Sequence, residues 1–166
     1  MPIQICGVSE VPGLSHIPFS HIISIRDSRQ NLPDIRGFKG EFTFHSFLFD
    51  DKSSADASGS VTAAQIERLL QIYSKTDWND SILIHCFAGV SRSTAAAFIW
   101  FVSKGVSFAT AYEAVVQLRG PFVCPNQLMV QLADDNMGLG GAMIMFLQAE
   151  LGRRSEERAT WFREHS

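Results

Sequence analysis

The 166-residue chain is predicted to fold as an α/β protein, a three-layer α/β/α arrangement around a largely parallel central sheet of four to five strands. Three observations carry this expectation. Short β-branched and aromatic runs, bounded by Pro and Gly turns, fill the first fifty residues. SILIH, 81–85, is apolar nearly throughout, as suits a strand covered on both faces. Strands then alternate with helix-like segments, a pattern that favours a parallel sheet with ligands beyond the carboxyl ends of its strands. Cys86 lies at such an end.

Taken in order, IQIC (3–6), HIISI (21–25) and FTFHSFLF (42–49) read as strands, separated by turns such as VPG at 11–13 and LPD at 32–34. DDKSSADASGS, 50–60, is polar and small, and reads as an exposed loop of the kind that carries function. A helix should begin at Thr62, whose hydroxyl caps the first turn while Gln65 reaches back as a capping box. Ile66, Leu69, Leu70 and Tyr73 give that helix one buried face. After the strand at 81–85, TAAAFIWFV reads as a helix packed all round, with Trp100 and Phe101 in the core. Further helices are expected at about 107–119, 126–138 and 141–151. The tail GRRSEERATWFREHS balances its charges and reads as a last amphipathic turn holding Trp161 and Phe162. The length suits one domain, 1–166, with about 141–166 as a helical extension.

Lys plus Arg against Asp plus Glu is 14 against 17, a net charge of −3, which leaves no general footprint for nucleic acid or an anionic membrane. No stretch approaches the roughly 20 apolar residues of a membrane span, and the N-terminus has no signal-like pattern, so a cytoplasmic location is the expectation. Cys6, Cys86 and Cys124 are odd in number and form no CxxC, which points to free thiols rather than a disulfide framework or a zinc site. No metal or other cofactor is called for.

HCFAGVSRS, 85–93, joins the apolar strand to the helix. The backbone N–H groups of such a loop and of the first helical turn converge on one spot and make an anion cradle. Gly89 permits the backbone to curl, Ser91 and Ser93 add hydroxyls, and Arg92 offers a planar fork for two phosphate oxygens. The same field favours the thiolate form of Cys86, a nucleophile beneath a bound phosphoryl group. Attack on phosphorus would give a phosphocysteine, with Arg92 and the loop amides following the charge on the equatorial oxygens. A proton donor for the leaving oxygen is also needed, and Asp50 and Asp51 are the candidates. If Phe47 and Phe49 point inward, continued alternation brings Asp51 to the pocket and turns Asp50 away.

These residues resemble the His-Cys-x5-Arg-Ser/Thr loop of the cysteine-dependent protein tyrosine phosphatases, in particular the compact dual-specificity branch and similar small bacterial enzymes. The match falls on His85, Cys86, Gly89, Arg92 and Ser93, and Arg119, Pro125 and Asn126 in RGPFVCPNQLMVQLAD resemble the segment after the catalytic helix. The resemblance spans roughly 20–140 and implies hydrolysis of phosphate monoesters, best of all protein phosphotyrosine, with phosphoserine and phosphothreonine as further substrates. It implies Cys86 as nucleophile and Arg92 as phosphate clamp, with Phe87, Ala88, Gly89, Val90 and Ser91 lining the phosphate and Ser93 stabilising the departing thiolate. His85 and Asn126 would support the loop, and Asp51, upstream of the Cys, fits the general acid. Phe87, Ala88 and Val90 leave the loop without extra positive charge, which argues against an inositol lipid.

Two other functions compete with this one: a phosphate-binding module without turnover, and an enzyme for a small non-protein phosphate. Several residues also have simpler readings. Asp27 is most simply a turn residue, Arg119 a helix C-terminal charge, Asn126 a helix cap, and His21 and His45 strand residues without catalytic part. Cys124 reads first as a packing residue and, beyond that, as a thiol that could link to Cys86 on oxidation.

Overall fold

A computed structural model describes residues 2–165, and within them all side chains except those of Arg158, Trp161, Phe162 and His165. The sheet has four strands, all parallel: β1 (Ile3–Gly7), β2 (His21–Arg26), β3 (Thr43–Leu48) and β4 (Ile82–Cys86), in the order β1-β4-β2-β3. β4 is central and every one of its residues is buried, which is why its sequence shows no polar alternation. Five α-helices follow: α1 (Ala63–Tyr73), α2 (Arg92–Ser103), α3 (Phe108–Arg119), α4 (Gln127–Met137) and α5 (Ala142–His165).

Alternation along the strands divides the core. Ile3, Ile5, Ile23, Ile25, Ile82 and Ile84 meet the α-helices in one large cluster. Cys6, Ile22 and Leu83 point to the opposite face, where Val11 and Phe19 cover them. That second cover is thin. It consists of a 3-10 helix, Val8–Leu14, and the aromatic chain running to Phe44, where the VPG motif had read as a plain turn. The Glu10 carboxylate starts this 3-10 helix by accepting the Gly7 N–H at 2.7 Å.

α1 begins as its capping box requires: Gln65 N–H donates to Thr62 Oγ1 at 3.3 Å and Thr62 N–H donates to Gln65 Oε1 at 2.9 Å. Ile66, Leu69 and Tyr73 are buried and Leu70 is half-buried. α2 is buried from Arg92 to Val102, its three consecutive alanines permitting close contact with the sheet. Tyr73 donates to the Ala96 carbonyl at 2.9 Å and Trp100 to Thr76 at 2.9 Å, so the O–H of Tyr73 and the N–H of Trp100 are both satisfied inside this core.

The C-terminal region departs from expectation. A helix at about 141–151 followed by a separate turn is instead one helix of 24 residues. Charge spacing explains the continuation past Gly152: Arg153 pairs with Glu150 and Glu157, and Arg154 with Glu150, all at i,i+3 or i,i+4. The contribution expected of Trp161 and Phe162 lies outside the described side chains. At the other end, the fully buried Asp134 carboxylate accepts N–H groups from Gly141 (2.7 Å), Met143 (2.7 Å) and Ile144 (3.2 Å), fixing where α5 starts. Among the described residues no helix is long and apolar enough to cross a membrane.

Candidate active site

β4 ends at Cys86 and α2 begins at Arg92, so the intervening loop sits at the carboxyl end of the central strand. Gly89 makes the return with φ +73°, and a Cβ there would lie 2.6 Å from backbone atoms of Cys6 and Gly7. Only glycine fits both the conformation and the space. The loop curls around Cys86, whose Sγ receives the Gly89 N–H at 3.3 Å and lies 3.2 Å from Ser93 Oγ. Cys86 is nearly buried at 3% exposed, and Ser93 is fully buried.

Arg92 projects from the first turn of α2 and is 3% exposed. Its Nη1 donates to Asp27 Oδ1 at 2.6 Å and to the Phe49 carbonyl at 2.8 Å, with Nη2 3.4 Å from Asp27 Oδ2. Nε is buried without a protein partner among the described residues. One edge of the guanidinium is therefore anchored to the protein, while the Nε donor has its hydrogen-bonding capacity unused.

The cleft above holds about 1020 Å³ and is bordered by Cys86, Arg92, Asp27, Asp50, Asp51 and Phe87. Asp51 is exposed and tied to the loop region: its Oδ1 accepts from Ser91 Oγ at 2.8 Å and Asn126 Nδ2 at 2.7 Å. Asp50 borders the same cleft but turns toward Gly59 and Ser28, its carboxylate occupying the space a Cβ on Gly59 would need. Asn126 does two jobs, since its Oδ1 also accepts the Met129 N–H at 2.9 Å and caps α4. Ser91 gives its hydroxyl to Asp51, not to the phosphate position expected of it.

His85 is fully buried, with Nδ1 3.4 Å from the Cys86 carbonyl oxygen. Burial, reinforced by the Arg26 and Arg92 charges, pushes its imidazole down to about 4. Burial likewise pushes the Cys6 thiol up to about 12. Cys124 is exposed, and its backbone N–H donates to the Val90 carbonyl at 2.9 Å.

Two residues given simpler readings from sequence prove to be part of the site. Asp27, at the carboxyl end of β2 beside β4, is the partner of Arg92 and not a free turn residue. Its position at the end of a neighbouring strand was the available signal. Arg119, at the end of α3, reaches the Gly89 and Ala88 carbonyls from outside the loop and pairs with Glu10. Nothing local to either side chain announced that pairing, which spans 109 positions.

A buried thiol that receives the Gly89 N–H at the end of a central parallel strand, with an arginine in the first turn of the next helix, is an arrangement similar to that of the cysteine-dependent tyrosine phosphatases. In sequence and fold the chain resembles the compact dual-specificity branch of that superfamily. It is 30% identical to dual specificity protein phosphatase 6 of Homo sapiens over 112 residues, 66% of this chain, and equally so to the Rattus norvegicus and Mus musculus proteins. The chain spans 28% of the length of those relatives. Among solved structures, human DUSP28 superposes with TM-score 0.63 at 17% identity, covering 90% of this chain and 96% of that one. The human tyrosine phosphatase-like serine/threonine/tyrosine-interacting protein gives 0.62 at 19%, covering 85% and 94%. DUSP15 gives 0.54 at 21%, covering 93% of each chain. No family model matches the sequence.

Proposed function

We propose that the chain is a phosphatase that hydrolyses phosphate monoesters through a phosphocysteine, with protein phosphotyrosine as the substrate. The observation that carries this reading is the Arg92 guanidinium, clamped on one edge by Asp27 and Phe49 while its buried Nε is left unpaired, in a cleft that Arg92 and Cys86 both line. A buried cationic donor without a partner costs stability unless an anion completes it.

In the first step Cys86 Sγ attacks phosphorus, the bond to the ester oxygen breaks, and Asp51 gives that oxygen its proton. Asp51 has Oδ1 fixed by Ser91 and Asn126, which leaves Oδ2 to carry the proton. In the second step water attacks the phosphocysteine, Asp51 takes the water's proton, and Sγ leaves as thiolate while the Ser93 hydroxyl, 3.2 Å away, donates to it. Inorganic phosphate is released and the chain returns to its starting state. The loop amides and Arg92 stabilise the charge on the equatorial oxygens in both steps.

Exposed Phe87 on the rim offers an apolar surface to an aryl ester, and the breadth of the cleft leaves phosphoserine and phosphothreonine within reach of Cys86. The test is vanadate-sensitive turnover of an aryl phosphate and of phosphopeptides, with Cys86→Ser as control. Absence of turnover alongside retained anion binding would make the chain a phosphate-binding module instead. Turnover of small phosphates but of no phosphopeptide would overturn the protein substrate.

A further inference from the structure

The four peptide planes from Phe87 to Val90 in the phosphate loop are held from their carbonyl side. Val8 N–H donates to the Phe87 carbonyl at 3.0 Å, and Cys124 N–H to the Val90 carbonyl at 2.9 Å. Between them, Arg119 Nη2 donates to the Ala88 carbonyl at 3.0 Å and Nε to the Gly89 carbonyl at 2.9 Å. A peptide unit is planar and its N–H is antiparallel to its C=O, so capturing a carbonyl outside the ring aims the following N–H inside. The plane whose carbonyl Arg119 Nη2 holds is the one whose Gly89 N–H points at Cys86 Sγ at 3.3 Å. The next plane, held through the Gly89 carbonyl, directs the Val90 N–H toward the same centre.

The guanidinium is itself oriented. Glu10 accepts from Nη1 at 2.8 Å and from Nη2 at 2.6 Å, and it also takes the Gly7 N–H at the end of β1. Arg119 thus directs its charge to Glu10 and to the Ala88 and Gly89 carbonyls of the loop, unlike Arg92, which lines the cleft.

We propose that Arg119, oriented by Glu10, is a positioning residue that holds the two central peptide planes of the phosphate loop with their N–H groups toward the bound anion. This rests on the phosphatase reading above, and its test reads anion binding and thiol chemistry without turnover. A lysine has no planar fork and cannot hold both carbonyls and Glu10 together, so Arg119→Lys keeps the charge and loses the geometry.

The experiment compares wild type, Arg119→Lys, Glu10→Gln and the double variant by tungstate affinity. It also follows alkylation of Cys86 by anionic iodoacetate against neutral iodoacetamide, resolved by peptide mass spectrometry with exposed Cys124 as reference. If the competent loop falls to a tenth of the population, Arg119→Lys binds tungstate about tenfold more weakly. Its iodoacetate-to-iodoacetamide rate ratio at Cys86 falls in step, while the ratio at Cys124 stays constant. Glu10→Gln moves both readouts less in the same direction, and the double variant is no worse than Arg119→Lys alone, because the two act as one unit. Folded variants with lowered melting temperature but unchanged tungstate affinity and Cys86 ratio would reduce Arg119 to a structural tie and overturn the proposal. Wild type that neither binds tungstate nor prefers iodoacetate at Cys86 would instead sink the phosphatase reading, and the proposal with it.

Discussion

Removing the Asp27 carboxylate should expose how strongly the Arg92 guanidinium depends on a negative neighbour. Arg92 is 3% exposed and Asp27 about a third exposed, so the pair sits at the mouth of a buried position. In Asp27→Ala the guanidinium keeps only the Phe49 carbonyl, 2.8 Å from Nη1. Breaking one side of a buried pair costs about 3–5 kcal/mol, and the open face of Asp27 puts this case at the lower end, about 3 kcal/mol. For a chain of this size that corresponds to a melting temperature lower by roughly 6–12 °C. The loss should be recovered by an anion. Tungstate at about 100 times its dissociation constant adds about 2.7 kcal/mol to any folded chain that binds it. In the variant it also neutralises the stranded charge, so its affinity rises and the stabilisation at equal concentration exceeds that of wild type. Thermal denaturation with and without tungstate measures both effects, and turnover should fall because Arg92 loses its orientation. A variant as stable as the parent, or one stabilised no more by tungstate, would show that Asp27 does not neutralise Arg92.

Asp51→Asn should lower turnover of an alkyl phosphate by about 10²- to 10⁴-fold, with much less loss for Asp50→Asn; a larger loss in the second would move the proton donor to Asp50. His85 governs acid stability. Its folded pKa, about 4, lies below the ordinary 6.5, so the unfolded chain binds the extra proton between those values. Stability is therefore whole above about pH 6.5 and falls as pH drops toward 4, by up to about 3 kcal/mol, and denaturant titrations of His85→Gln should show a flatter profile. Asp134→Ala strands three N–H groups at the start of α5 and should cost about 3 kcal/mol, with faster hydrogen exchange across 141–147. Exchange unchanged there would assign the anchoring of α5 to its apolar contacts alone.

The strands and helices were legible because their signals are local: β4 in its unbroken apolar run, α1 in the Thr62 and Gln65 pair, α4 in Asn126. The turn from Cys86 into α2 was legible for the same reason, since Cys86 through Ser93 are contiguous. Part of what surrounds it was not. Asp27, Glu10 and Arg119 are ordinary charged residues until the sheet order β1-β4-β2 sets the ends of three strands side by side. The length of α5 was missed because an apolar count sees only its first turns, while charged pairs sustain the remainder.

That sheet order also bears on how the molecule is assembled over time. The ties that shape the loop join Arg92 to Asp27 across 65 positions, Asn126 to Asp51 across 75 and Arg119 to Glu10 across 109. Closing loops of such length before any contact rewards them slows folding. During synthesis Cys86 and Arg92 emerge well before residues 119–126, so an intermediate with β4 and α2 formed would lack the ties from Arg119 and Asn126. Anion binding should therefore be among the last properties to appear on refolding, and a ligand such as tungstate should slow unfolding more than it speeds folding.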